Sequence, residues 1–182
     1  MRDKIILTGF MATGKSTVAR LIARRLGCRF VDSDRELCAR AGKSIAAIFA
    51  DHGEPHFRAM EREVIAALAA DPNRSVIATG GGALVDDSNF SVLASAGIII
   101  CLSARVEVIA QRVTRSAHPR PKLLQSGQPL ERSIADLMAA RADAYARAEV
   151  TIDTSDLSVE EVADRVIQAV TARAANRCET SE

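Results

Sequence analysis

The run Gly9-Phe10-Met11-Ala12-Thr13-Gly14-Lys15-Ser16-Thr17 has the spacing G-x-x-x-x-G-K-[ST]. Its glycines let successive backbone N–H groups turn inward and form an anion nest at the start of a helix. Lys15 can then reach the β- and γ-phosphates of a nucleoside triphosphate, and the Ser16 hydroxyl can meet Mg²⁺. The flanks agree with this reading. The apolar run Ile5-Ile6-Leu7 precedes the loop, and Val18, Leu21, Ile22 and Leu26 follow it on one helical stripe. A Gly-rich turn followed by a chance Lys-Ser is the competing reading, and the strand and helix together argue against it.

Three further groups have types and spacing suited to chemistry. Asp32 and Asp34 leave a second β-like run two residues apart. One carboxylate can orient Mg²⁺ and its waters while the other accepts the proton of an acceptor hydroxyl. Alternatively, Asp32 or Ser33 caps the helix that follows. Gly80, Gly81 and Gly82 follow a third run, where three glycines admit a ligand or another backbone at close range. Arg58 and Glu61 stand three apart on one helix face, either as an ordinary surface pair or as a guanidinium fixed to grip an anion. Phe49 and Phe57 are two of five phenylalanines, and aromatics at helical spacing are more often core than pocket lining.

Arg112, Arg115, Arg120, Lys122, Arg132, Arg141 and Arg147 make the later chain basic. Arg132 and Arg147 read as solvated helix charges. Arg120 lies in the irregular segment 116–129, a candidate lid from which a guanidinium can swing over a transferring phosphoryl group. His52, His56 and His118 show no metal-ligand spacing.

The elements needed to position these groups are legible as alternation. β-like runs fall at 5–8, 29–32, 75–79, 97–102 and 149–153. Helical patterns fall at 15–26, 34–41, 45–49, 54–70, 86–96, 105–115, 129–147 and 158–174. Gly27 is placed to end the first helix, and Ser158 with Glu161 forms a capping box before the last. Such alternation predicts an α/β protein with a parallel sheet covered on both faces and its ligands outside the carboxyl ends of the strands. The 182 residues suit one domain, expected over 1–175, with a polar tail at 176–182.

A net charge of +1 gives no warrant for nucleic acid or an anionic membrane as partner. Cys28, Cys38, Cys101 and Cys178 are scattered, as expected of reduced thiols in a cytoplasmic protein. No signal peptide or membrane span is visible, since the most apolar stretch, 92–104, is short and interrupted.

Taken together the residues resemble the shikimate kinase family over about residues 4–170. The specific part is Asp32-Ser33-Asp34, Gly42-Lys43-Ser44-Ile45 with Ile48-Phe49, Gly53-Glu54 with Phe57-Arg58 and Glu61, Gly80-Gly81-Gly82, Arg120-Pro121, and Arg141 with Tyr145. The resemblance implies a three-layer P-loop kinase fold of the nucleoside monophosphate kinase type, its five-stranded parallel sheet in the order 2-3-1-4-5. It implies transfer of the γ-phosphoryl group of MgATP to the 3-hydroxyl of shikimate, in chorismate and aromatic amino-acid synthesis, by a cytoplasmic enzyme expected to be a monomer.

On that resemblance Lys15, Asp34 and Arg120 are the catalytic set, with Asp34 as base or orienter of the acceptor hydroxyl. Gly9, Ala12, Thr13, Gly14, Lys15, Ser16, Thr17, Arg112 and Arg120 bind ATP, with Arg112 bordering the adenine. Asp34, Phe49, Phe57, Arg58, Glu61, Gly80, Gly81, Gly82 and Arg141 bind shikimate, and Ser16 and Asp32 position Mg²⁺. The acceptor-binding segment spans 33–61 and the lid about 113–128. Ala12 stands where family loops usually have glycine, and Lys122 is an extra residue in a lid that usually reads R-P-L-L. Two rival readings stand beside this one: a kinase of the same fold acting on another hydroxy acid such as gluconate, and a nucleotide-binding regulatory protein without transfer activity.

Overall fold

The computed structural model describes residues 4–115 and 128–179. Five strands, β1 (Lys4–Thr8), β2 (Arg29–Asp32), β3 (Ser75–Ala78), β4 (Gly97–Ser103) and β5 (Val150–Asp153), form one sheet in the order β2-β3-β1-β4-β5. Every pairing is parallel. The expected order is the observed one.

The inner strands β1, β3 and β4 are buried along almost their whole length because helices cover both faces, while the edge strands β2 and β5 keep exposed residues. Alternation within β1 divides the core. Ile5 and Leu7 join Val76, Ile98, Ile100 and Ile152 against α1 (Lys15–Arg25) and α8 (Val159–Glu179). Ile6 points the other way, into a cluster with Ile65, Leu84, Leu93 and Ile99. That face carries α2 (Ser33–Ala41), α3 (Ile45–Ala70) and α4 (Asp87–Ala96). Among the described residues the remaining α-helices are α5 (Val106–Thr114), α6 (Leu130–Ala139) and α7 (Ala142–Ala146).

Local chemistry explains most boundaries. Past α1, Gly27 (φ 61°) lets its own N–H bond the Arg24 carbonyl and the Cys28 N–H bond the Ala23 carbonyl, the paired bonds of a Schellman stop. At the start of α8 the Ser158 N–H bonds the Glu161 carboxylate at 2.8 Å, and the Glu161 N–H returns to Ser158 Oγ at 3.2 Å. The capping box read from the sequence is formed. Among the described residues no helix is long and apolar enough to cross a membrane.

Three boundaries differ from expectation by more than one residue. The patterns at 45–49 and 54–70 run together as α3, but Gly53 (φ 79°, ψ 177°) breaks the helical path between them. The single helix expected over 129–147 is two, α6 and α7, with Arg141 (φ −118°, ψ 4°) between them. No glycine or proline marks that break. The last helix continues to Glu179, beyond 174, because nothing in 175–179 is a helix breaker. The centre of the expected lid, with Arg120 and Lys122, lies outside the described residues.

Candidate active site

Every group singled out above within the described loops leaves the carboxyl end of β1, β2 or β3. At the first of these ends the chain turns so sharply that Gly9 has φ 126°, and a Cβ there would overlap the Leu102 carbonyl oxygen of β4. The Lys15 ammonium lies inside the loop, donating to the Gly9 carbonyl at 2.8 Å and the Phe10 carbonyl at 2.7 Å. Thr13 Oγ1 donates to the same Phe10 carbonyl at 2.9 Å. Ala12 has φ 62°, a left-handed conformation that costs an L-residue roughly 1–2 kcal/mol. Alanine therefore does not sit there at negative φ.

The cost at Ala12 is met by a clamp. Arg112 Nη1 donates to the Ala12 carbonyl at 3.3 Å and to Thr154 Oγ1 at 3.0 Å, while Nη2 donates to the Thr154 carbonyl at 2.7 Å. The Thr154 hydroxyl also lies 3.0 Å from the Ser103 carbonyl and 3.3 Å from the Thr13 carbonyl. Thr154 is buried and ties the ends of β4 and β5 to the phosphate loop. The sequence gives no sign of it, because a threonine one residue past a strand carries no motif.

The second strand end shows that the two readings of Asp32 are compatible. Its Oδ1 accepts the Asp34 and Arg35 backbone N–H groups at 3.2 and 3.3 Å and so caps α2. Its Oδ2 accepts the Ser16 hydroxyl at 2.7 Å. Ser16 and Asp32 thus present hard oxygen atoms at the mouth of the loop. Mg²⁺ takes one or two such protein ligands and completes its shell with phosphate and water. The donor set fits that ion, and among the described residues no cluster of three His, Cys, Asp or Glu offers an all-protein cage.

Asp34 is set deeper. Its pKa is raised from 3.8 to about 6, first by burial and then by the charges of Asp32 and Glu61, against the opposing pull of Lys15 and Arg58. Gly80 leaves room for this carboxylate: a Cβ there would lie 2.5 Å from Asp34 Oδ1. The Gly80 N–H donates to Ser33 Oγ at 3.0 Å, joining the wall of glycines to the start of α2.

The other side of that wall carries two guanidinium groups. Arg58 donates to Glu61 at 2.6 Å and Glu54 at 3.0 Å. Burial alone would lower its pKa, but the hydrogen bonds and charges of Glu61 and Glu54 outweigh it and the net shift is upward. Glu61 is only 3% exposed, so this is not the surface pair that its spacing also allowed. Arg141 Nη1 donates to the Gly81 carbonyl at 3.0 Å, and a Cβ on Gly82 would lie 3.3 Å from Arg58 Nη2 and 3.7 Å from Arg141 Cζ. Arg58, Arg141 and the glycine wall are therefore brought together from three distant segments.

Met11, Ala12, Gly14, Lys15, Ser16, Thr17, Asp32, Asp34, Thr79 and Gly81 line a cleft of about 270 Å³. Phe49 and Phe57 lie 4.7 Å apart by ring centroid, in the core cluster with Val31, Leu37 and Ile48. Phe57 also carries the Arg58 guanidinium over its ring at 5.3 Å. Arg132 is a solvated charge paired with Asp136. Arg147 is not simply solvated, since it stacks 3.7 Å over Phe90 and pairs with Asp87.

Comparison with known proteins points one way. Residues 11–171 match the shikimate kinase family. A shikimate kinase of Geobacter metallireducens is 48% identical over 87% of this chain and 86% of its own. One of Geobacter sulfurreducens is 46% identical over 89% and 87%. Among solved structures, the shikimate kinase of Acinetobacter baumannii in complex with shikimate superposes with a TM-score of 0.86. That match is at 34% identity and covers 94% of each chain.

Proposed function

The chain belongs to the shikimate kinase family, and from that membership we propose how its residues divide the phosphorylation of shikimate by ATP. One observation carries the division. A desolvated carboxylate, Asp34, and two guanidiniums, Arg58 and Arg141, converge on the Gly80–Gly82 wall beside the phosphate loop. A small polyhydroxy acid needs this combination: cations for its carboxylate and an acceptor beside one hydroxyl.

The loop N–H groups and Lys15 bind the phosphates of ATP, and Arg112 with the chain at Thr154 borders the base. Ser16 and Asp32 would hold Mg²⁺, which when bound neutralises charge on the phosphates. Arg58 and Arg141 take the carboxylate, orienting the ring so that its reactive hydroxyl meets Asp34. Asp34 accepts that hydrogen bond and, as the oxygen attacks the γ-phosphorus and the bond from phosphorus to the bridging oxygen breaks to release ADP, its proton. A pKa near 6 suits this task better than 3.8, because a base is most effective when its pKa approaches the working pH. Lys15 stabilises charge on the transferring group, a role that Arg120 shares on the family resemblance. Mg²⁺ as the metal, a monomeric state and a cytoplasmic setting belong to the same reading.

Two variants separate the roles of the aspartates. Asp34→Asn keeps the shape but loses the base, so turnover should fall by about a hundredfold or more while MgATP still binds. Asp32→Asn should instead raise the Mg²⁺ concentration needed for half-maximal rate. Equal residual rates and equal metal dependence in the two variants would contradict the division.

A further inference from the structure

Tyr145, the single tyrosine of the chain, has no part in the division of labour above. Its ring packs in a cluster with Phe10, Ile109 and Ile134. Its hydroxyl donates to the Gly81 carbonyl at 2.6 Å, a partner 64 residues away in sequence. Arg141 donates to the same oxygen at 3.0 Å, so both lone pairs of that carbonyl are engaged. Burial raises the Tyr145 pKa above its usual value, which keeps the hydroxyl a donor through the neutral range.

Three consecutive glycines impose little conformation on themselves, so the direction of their peptide groups must be set from outside. No described peptide bond is cis. In a trans peptide the Gly81 carbonyl and the Gly82 N–H point in opposite directions. Holding the oxygen toward α7 therefore turns the Gly82 N–H away from Tyr145. Gly82 lies against the guanidinium of Arg58, and Gly81 lies against the phosphate loop, where an added Cβ would be 3.3 Å from the Gly9 carbonyl.

We propose that Tyr145 is a positioning residue for the acceptor. By holding the Gly81 carbonyl together with Arg141, it fixes both the orientation of the Gly81–Gly82 peptide and the place of the Arg141 guanidinium beside the glycine wall. This rests on the assignment of Arg58 and Arg141 to the shikimate carboxylate. The hydroxyl acts on shikimate affinity through the backbone and leaves the nucleotide side untouched.

Tyr145→Phe keeps the ring in its cluster and removes only the hydrogen bond. Steady-state kinetics of Tyr145→Phe and Arg141→Ala, with melting temperatures, decide the matter. For Tyr145→Phe the KM for shikimate should rise about tenfold, the size of one well-made hydrogen bond, with the KM for MgATP changed by less than about twofold. Its melting temperature should stay within about 2 °C of the parent. Arg141→Ala should raise the shikimate KM further. If Arg141→Ala raises it and Tyr145→Phe does not, the positioning role is wrong and the carboxylate assignment stands. A parallel rise of both KM values in Tyr145→Phe, with a fall in melting temperature, would mark a structural role and also overturn the proposal. If Arg141→Ala leaves the shikimate KM unchanged, the carboxylate assignment fails and the inference falls with it.

Discussion

At Asp34 the burial that suits the base proposed above works against stability at neutral pH. Its pKa rises from 3.8 to about 6, chiefly by burial, so the folded protein holds the proton more tightly than the unfolded chain does. Stability from this group is greatest below about pH 4 and is lost as pH rises toward about 6, where the carboxylate ionises in its desolvated place. At pH 8 the ionised group costs roughly 2–3 kcal/mol. Asp34→Asn is therefore expected to melt roughly 5 °C higher than the parent at pH 8, with the gap closing by pH 4. Thermal melts across that range check it, and an unchanged or lower melting temperature at pH 8 would contradict it. Catalysis moves the opposite way, so kcat/KM should fall as pH drops below about 6. Lys15, Ser16, Asp32 and Asp34 were legible in the sequence because their partners lie close by or in a fixed motif. Thr154 was not, and Tyr145 entered only as part of the family resemblance with no role attached, because each acts on a backbone carbonyl far along the chain, and such partners leave no mark on local sequence.

At the scale of elements, two interruptions aim Arg58 and Arg141 at the glycine wall. Gly53 (φ 79°, ψ 177°) breaks α3 and sets the direction of the half that carries Arg58 and Glu61. A Cβ there would meet only Pro55 Cδ at an ordinary 3.7 Å, so the penalty for a side chain is backbone strain, not collision. Gly53→Ala should cost about 1–3 kcal/mol and raise the KM for shikimate, because relaxing the strain swings Arg58 off the glycine wall. Melting and steady-state kinetics test this. Loss of stability with an unchanged shikimate KM would show that the break does not aim Arg58. The Gly53 break was foreshadowed, since a glycine followed by Glu54-Pro55 is an ordinary helix restart. The break at Arg141 carried no such signal. It is visible only once the Gly81 carbonyl is in place to receive the guanidinium, a case of tertiary contact overriding helical periodicity.

The whole molecule places these devices by topology. The order β2-β3-β1-β4-β5 sets β1 at the centre, with β3 and the glycine wall on one side and β4 on the other. The phosphate loop after β1 thus faces Asp34 after β2 and the glycine wall after β3, and Thr154 braces it from the end of β5. The alternation of apolar strands and amphipathic helices made this arrangement readable from the sequence, since a parallel sheet needs cover on both faces and gathers ligands at one edge. On the proposed division of labour this edge takes a carboxylated polyol and a triphosphate together. Coupled ADP release measured with shikimate, quinate, gluconate and nucleoside monophosphates tests it most directly. Shikimate should stimulate ADP release, with a kcat/KM at least about a hundredfold above that of gluconate or any nucleotide. Stimulation by gluconate or a nucleoside monophosphate in place of shikimate would contradict it.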